Sequence, residues 1–590
     1  MLRRTPILTL KRRTEAVLFG FMLVVAVLVA RLVWIQGIES PRYRALARQM
    51  HQREILLPAR RGLILARDGQ PLAANVPAFD LTANPRVVAD KRATAEALQQ
   101  IVGGSAEEYY QRLSRTTGYF CWLRRALDDA LAAQVRRRLA EPVMAGVELR
   151  RSTRRRYPCG SLAAQVTGDV DIDNVGRDGL EFIHNRVLAG VDGLLRAEVD
   201  AAGRVIPDTE RQEREPVDGQ DLQITLDPTV QQFAEAELLR VAEQYQPEAA
   251  IAVVMDVHTR EVLALANWPT FDPDVREKVP IENRRVRAVT DPYEPGSAFK
   301  VFTAAAALEE GIDTHVYCSG SKPVGHHVIH CAHGKAHGAC DLRRIVSLSC
   351  NIAAGTLAER LGAVRLWKHL KAFGLVDKTG IELGGEAIGW LAKPENWRTI
   401  NTVNIGFGQG IAVNAIQLCN LFATVADDGM WRQPRVLLRA GNQEVAAQAP
   451  PHQAMSPANA ALLRDCMEAT CTEGTGKSAK IAHYRVGGKT GTAQIAAHGI
   501  YVPGAYVASF GGFFPAHRPH LVILVSVRRP KGAQYGGVVA APAFREIARQ
   551  CAAYLQIPPD APGDERDGRD PGSFYRWQAH RGGSGGDSAD

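Results

Sequence analysis

Apolar residues run almost unbroken from Ala16 to Ile35, with Arg31 the one charge inside the run. As a helix at ~1.5 Å rise per residue, that stretch reaches about 30 Å, the thickness of a bilayer's hydrocarbon core. Arg3, Arg4, Lys11, Arg12 and Arg13 precede it. The positive-inside rule therefore predicts a cytoplasmic tail over residues 1–15, a transmembrane anchor over 16–35 and everything after Gln36 outside. Arg31 lies close enough to the far end to snorkel into the interface. A cleaved signal peptide competes through Leu28-Val29-Ala30, but Leu28 is large for a cleavage site and the run continues through Leu32, Val33 and Ile35. An uncleaved anchor is the expectation.

Beyond the anchor the pattern changes twice. Helical periodicity marks Leu357 to Phe373, Ala415 to Ala426, Ala458 to Thr470 and Ala543 to Leu555. Strand-like runs rich in Val, Ile, Tyr and Phe mark Ala250 to Asp256, Val262 to Asn267, Ala505 to Phe514 and His520 to Val527. Strands both early and late in one region suit an antiparallel sheet covered by helices, an α+β arrangement. Residues 36–220 are less regular: Leu123 to Leu139 reads as helical, Asp68-Gly69 reads as a hairpin turn, and the region is expected to form mixed α/β lobes. From Pro558 onward Pro, Gly, Asp, Ser and Arg dominate without apolar periodicity, which predicts a disordered tail over 558–590.

At 590 residues the chain is too long for one domain, and 46% hydrophobic with 23% charged residues is ordinary for folded protein. The net charge of +8 raises the question of a nucleic-acid partner, but the positive residues are scattered and no nucleic-acid motif occurs. None is expected. The cluster Arg151, Arg154, Arg155 and Arg156 reads as a solvated face or a contact within the 36–220 region, and Arg61 as a solvated charge.

Three short words carry the chemistry: Ser297-Ala298-Phe299-Lys300, Ser349-Cys350-Asn351 and Lys489-Thr490-Gly491-Thr492. They form the S-x-x-K, S-x-N and K-T-G set of serine acyl-transfer enzymes, in that order. A serine hydroxyl needs a base within hydrogen-bond reach. On a helix from Ser297 to about Leu308, Lys300 sits three residues on and shares a face with Ser297. Lys300 can take the proton only when neutral, so burial or the charge of Lys489 must lower its pKa. Ser349 and Asn351 lie in a polar link between two helices, where a hydroxyl can relay a proton and a carboxamide can bind a substrate amide. Lys489 to Thr492 precede two strand-like runs, which places them on an edge strand of the sheet. There Lys489, Thr490 and Thr492 offer a cation and two hydroxyls to a carboxylate. Glycine at 491 permits close backbone approach, and the N–H groups of Ser297 and Thr492 suit an oxyanion.

From about Asp221 to Leu555 the chain resembles the transpeptidase domain of class B penicillin-binding proteins, most like the cell-division (FtsI) type. Glu294-Pro295-Gly296, Gly406-Phe407-Gly408-Gln409-Gly410 and Tyr535-Gly536-Gly537 carry the likeness beyond the triplet. Arg61-Gly62-Leu63-Ile64, Arg67-Asp68-Gly69, Arg156-Tyr157-Pro158 and Gly179-Leu180-Glu181 resemble the boxes of the family's pedestal. The resemblance implies a pedestal (dimerisation-like) domain over 36–220 and a penicillin-binding, serine β-lactamase-like transpeptidase domain over 221–557. It also implies a Ser297 acyl-enzyme formed on peptidoglycan stem peptides and mimicked by β-lactams, with no cofactor. Implied partners are the membrane, a glycosyltransferase of the FtsW type and other divisome proteins, with the catalytic domain outside the inner membrane. Asn351 in the second word favours the septal branch. Elongation- and sporulation-type relatives stay open, as does a non-catalytic scaffold or β-lactam sensor.

The ten cysteines raise a separate question. Cys318, Cys331 and Cys340 share a stretch with His326, His327, His330, His333 and His337, just before Ser349. Three readings stand: a disulfide, most simply Cys318 with Cys331; a zinc site of mixed Cys and His ligands; or an unbridged loop. Cys350 reads as packing. Acyl transfer is not expected to need the stretch.

Overall fold

The computed structural model describes residues 7–115, 118–200, 205–497 and 500–561. The first six residues of the expected cytoplasmic tail and residues 562–590 of the expected disordered tail lie outside the described residues. The chain divides into two compact units that do not follow sequence order. The first comprises Met1–Arg60, Pro77–Thr153 and Gly190–Gly219; the second comprises Arg61–Val76, Arg154–Ala189 and Gln220–Asp590.

The first unit begins with helix α1 (Ile7–Val33), which runs on as a π-helical turn, Trp34–Ile38. Among the described residues Lys11–Ile38 is the stretch long and apolar enough to cross a membrane, and it includes the expected anchor; none of its side chains is buried. A small core of Phe79, Leu81, Leu98, Leu113, Leu123 and Val135 holds the remainder together. Helix Lys91–Val102 starts where the Asp90 carboxylate accepts from the N–H groups of Arg92 and Ala93, both at 3.0 Å. The reading of Leu123 to Leu139 as helical is half corrected. Cys121–Leu127 is a strand that buries Cys121, Leu123 and Leu127 on one face, and the helix is Asp129–Arg138, started by Asp128 accepting from the Leu131 N–H at 2.8 Å. A period-two pattern and a cap divide what looks continuous in sequence.

In the second unit we number, in chain order, α2 (Pro228–Tyr245), β1 (Ala249–Asp256), β2 (Val262–Trp268), α3 (Lys300–Glu309) and α4 (Leu342–Ser347). There follow α5 (Asn351–Ala372), α6 (Ala415–Ala426), α7 (Pro457–Thr472), β3 (Gly487–Ala497), β4 (Ile500–Phe514), β5 (Leu521–Arg528) and α8 (Ala541–Tyr554). The five strands form one antiparallel sheet in the order β2-β1-β5-β4-β3. Both faces are buried, so the strands read as continuous apolar runs. Ala250, Ala252 and Val254 of β1 pack with Val230 and Leu238 of α2 and with Phe544 of α8. The alternate residues Ile251, Val253 and Met255 share the opposite core with Phe299, Phe302, Leu418 and Phe422. Each fully buried Phe contributes roughly 1.5–3 kcal/mol of transfer free energy, so these rings fix the segment that carries Ser297 against the sheet.

Asp68-Gly69 forms the expected turn: Gly69 has φ +88°, and the Ala66 N–H donates to the Gln70 carbonyl at 2.8 Å. Arg61 and the arginine cluster differ from expectation. Arg61 Nε donates to Glu181 Oε2 and Arg155 Nε to Glu181 Oε1, both at 2.6 Å, and all three side chains are buried. Asn185 Oδ1 accepts from Arg61 Nη1 at 2.8 Å and Asn75 Oδ1 from Arg155 Nη1 at 3.0 Å. A carboxylate shared by two guanidinium forks makes burial of these charges tolerable.

Candidate active site

The first word spans a change of helix type. Gly296–Phe299 is a turn of 3-10 helix and α3 begins at Lys300, so Ser297 sits in the entry turn rather than inside one continuous α-helix. Gly296 has φ +51°, and a Cβ there would stand 2.8 Å from the Thr492 carbonyl oxygen. Only glycine lets the serine turn come this close to the edge strand. Across that turn Lys300 Nζ lies 3.0 Å from Ser297 Oγ.

Lys300 is fully buried and has four oxygens around its nitrogen. The Ser349 carbonyl and Asn351 Oδ1 are each 2.6 Å away, and the hydroxyls of Ser297 and Ser349 are at 3.0 and 3.1 Å. Asn351 is oriented by its own Nδ2, which donates to the His330 carbonyl at 2.9 Å. The two nearest oxygens can only accept, whereas the two hydroxyls can also donate. A neutral amine fits this set: two N–H bonds go to the acceptors and the lone pair faces a serine proton. Ser349 makes the arrangement possible by holding φ +60°, a left-handed conformation that disfavours a side chain and is concentrated at functional sites.

Lys489 enters from β3, also fully buried. Its Nζ donates to Ser349 Oγ at 2.9 Å and to the Thr490 carbonyl at 3.1 Å, so one serine hydroxyl stands between two lysines. Burial is the main force lowering the Lys300 pKa, to about 8. Burial lowers that of Lys489 well below the lysine range as well, helped by the charge of Lys300. Of the two causes the sequence left open for Lys300, burial or the charge of Lys489, desolvation acts first, because both amines are removed from water.

The third word lies on an edge strand, with Lys489 opposite Gly511 and Thr490 opposite Phe510 of β4. A Cβ at Gly491 would meet Ser509 Oγ at 2.2 Å and the Pro295 carbonyl at 3.0 Å. Thr490 Oγ1 is 2.8 Å from Thr475 Oγ1, and Thr492 Oγ1 accepts from the Gly536 N–H at 3.3 Å. Ser297, Ser349, Asn351, Thr490 and Thr492 line one cleft of about 1250 Å³. All eight sequence-predicted residues are thus gathered in or directly behind it. Sequence reasoning missed Thr475, which stands among residues with no motif around it. Glu294, quoted only as part of a motif, accepts from the Gly410 N–H at 2.9 Å and from the Tyr501 hydroxyl at 3.1 Å, joining the turn before Ser297 to two other loops.

The cysteine stretch folds as two small antiparallel pairs, Val316–Cys318 with Gly338–Cys340 and Ser321–Val324 with His327–His330. Cys318 and Cys331 are thiols with Sγ atoms 3.5 Å apart. Cys340 sits at the edge of the group, its Sγ facing the Gly338 carbonyl at 3.6 Å and its side chain reaching Cys350. Cys350, buried in the core, has its Sγ 3.6 Å from that of Cys331.

Residues 250–549 match the Penicillin binding protein transpeptidase domain and residues 56–224 match the Penicillin-binding Protein dimerisation domain. The chain is 32% identical over 570 residues to Stage V sporulation protein D of Bacillus subtilis, covering 94% of this chain and 88% of that protein. It is likewise 32% identical over 571 residues to Probable peptidoglycan D,D-transpeptidase PenA of Neisseria gonorrhoeae, covering 94% and 95%. Among solved structures, penicillin binding protein 3 of Mycobacterium tuberculosis complexed with aztreonam superposes with a TM-score of 0.66 at 26% identity, covering 86% of this chain and 99% of that one.

Proposed function

The chain belongs to the penicillin-binding protein transpeptidase family, and we propose that it cross-links peptidoglycan stem peptides through an acyl-enzyme on Ser297. Neutral Lys300 takes the Ser297 proton as Oγ attacks the penultimate D-alanine carbonyl. The carbonyl oxygen becomes an oxyanion held by the Ser297 and Thr492 N–H groups. Collapse breaks the peptide bond, and Ser349, poised between the two lysines, passes the proton to the departing D-alanine amine. Asn351 binds the stem-peptide amide, while Thr490 and Thr492 bind the terminal carboxylate with the charge of Lys489 behind them; Gly491 keeps that strand open to the substrate. The amine of a second stem then attacks the ester, and the same groups run the proton transfers in reverse. A β-lactam follows the first step and stalls, because its fragment stays in the cleft where the second amine must enter.

The observation that carries this reading is the Lys300 nitrogen, with two obligate acceptors at 2.6 Å and the Ser297 hydroxyl at 3.0 Å. The domain assignment accompanies it: tail 1–15, anchor 16–35, pedestal 36–220, transpeptidase 221–557 and tail 558–590. The protein is a single-pass protein of the cytoplasmic membrane with its catalytic domain outside. It works in septal wall synthesis with a glycosyltransferase of the FtsW type and divisome partners, since no motif for glycan polymerisation occurs in its own sequence. A sporulation role is the second reading, favoured by the likeness to Stage V sporulation protein D.

Exposing the membrane fraction to fluorescent penicillin tests the chemistry. A labelled band at the chain's mass that disappears with Ser297→Ala is the expected result; an equally labelled Ser297→Ala protein refutes it. Depletion with rescue by wild type but not by Ser297→Ala separates a synthase from a scaffold.

A further inference from the structure

We propose that Cys318, Cys331, His337 and Cys350 bind one zinc ion in a tetrahedral Cys3His site directly behind the Ser349-Cys350-Asn351 turn. The three Sγ atoms and one imidazole nitrogen lie within 4.8 Å of one another, and all three cysteines are buried. Three edges of the tetrahedron are already set: Cys318 to Cys331 at 3.5 Å, Cys331 to Cys350 at 3.6 Å, and Cys318 Sγ to His337 Nδ1 at 3.6 Å. A zinc ion with metal–sulfur bonds of about 2.3 Å and metal–nitrogen bonds of about 2.0 Å requires edges of roughly 3.5–3.7 Å. The observed spacing is that of ligands around a central ion.

The alternatives use the cluster less completely. A disulfide joins two of three neighbouring sulfurs and leaves a third thiol and an imidazole crowded against it without a task. Zinc uses all four donors, and three thiolates with one imidazole are a donor set suited to structural zinc rather than to magnesium or calcium. The outer contacts suit thiolate as well. Cys350 Sγ accepts from the Ala353 N–H at 3.3 Å at the start of α5, a helix broken at Gly362 whose N-terminus favours negative charge. The His337 carbonyl accepts from Arg344 Nη2 at 3.1 Å, which fixes the backbone of that ligand.

The ion's place in the chain gives it a task. Cys350 lies between the two residues that contact Lys300, and Cys331 follows His330, whose carbonyl holds the Asn351 amide. One ion would therefore pin both the hairpin loop and the strained Ser349 turn to the helix start. The site stands on its own geometry; only this consequence for Ser349 and Asn351 rests on the acyl-transfer reading.

Metal content of the full chain, purified in detergent with a non-chelating reductant, tests the site separately from catalysis. About one zinc per chain is expected, with exchange to cobalt giving the visible absorption of a tetrahedral thiolate complex. Cys318→Ser and His337→Ala are each expected to weaken zinc binding at least tenfold in competition with a chromophoric chelator, while Cys340→Ser retains wild-type binding. Zinc-free protein that takes up none on addition, a cobalt spectrum lacking thiolate charge transfer, or wild-type affinity in the Cys318→Ser and His337→Ala variants would overturn the proposal. So would a disulfide among Cys318, Cys331 and Cys350 in peptides from protein purified without reductant. Each readout is independent of whether penicillin labels Ser297.

Discussion

Arg61 and Arg155 are buried against Glu181, whereas Lys300 and Lys489 are buried against hydroxyl and carbonyl oxygens. Both regions belong to the second unit, and both remove two cations from water. In the first, one carboxylate stands between the two guanidinium groups and accepts from the Nε of each. In the second, among the described residues, no carboxylate bonds either lysine nitrogen, and desolvation loosens the hold of Lys300 on its proton. Permanent charge with a counterion serves architecture. A cation kept short of one serves chemistry, because its proton is loosely held.

Lys300→Met gives the largest separation between the two regions. It keeps the stem's bulk and removes the base, so acylation by penicillin should fall by about 10³-fold, within the span of general-base effects. Thermal unfolding should stay level or move upward, as a buried amine has been removed. A large loss of stability together with unchanged acylation would make Lys300 a structural cation and erase the contrast. Glu181→Gln is the reciprocal experiment. It leaves two guanidinium groups buried without an anion and should cost about 3–5 kcal/mol in denaturant unfolding. The acylation rate of the remaining folded protein should not change.

The pH profile sharpens the same comparison at smaller amplitude. In the proposed mechanism acylation needs the neutral Lys300 amine, whose pKa burial lowers to about 8. Its rate constant should rise roughly tenfold per unit below that value, and level off above it. A flat profile from mildly acidic to mildly alkaline pH would mean that Lys300 does not lose its proton over that range. Smallest is the effect expected of an exposed charge. Asp90→Ala removes the N-cap of Lys91–Val102 in the first unit and should lower stability in urea by about 1 kcal/mol, with no effect on acylation.

Much of the site is legible in sequence because its chemistry is local. Ser297 and Lys300 are one helical turn apart, Ser349 and Asn351 flank a single residue, and the run from Lys489 to Thr492 announces a strand by its neighbours. Helix Ala415–Ala426 starts and ends where its periodicity does. What sequence hides is long-range. The partner of Arg61 lies 120 residues away, so nothing near it signals burial. Cys350 meets Cys331 and Cys318 only after the hairpins of the 316–340 stretch have folded back. The left-handed Ser349 escapes notice because no glycine or asparagine marks it. Likewise, residues 61–76 and 154–189 join the second unit through contacts that a linear boundary at 220 does not express.

The rim position of strand β3 has one more consequence. An unpaired sheet margin normally invites indiscriminate stacking with other chains, a hazard that folded proteins suppress with lysines, prolines or bulges. Here the Pro295 and Gly296 backbone crowds the margin at Gly491 and Thr492, leaving no room for a side chain at Gly491 or Gly296. A foreign strand approaching that margin meets the serine-bearing turn before it can pair.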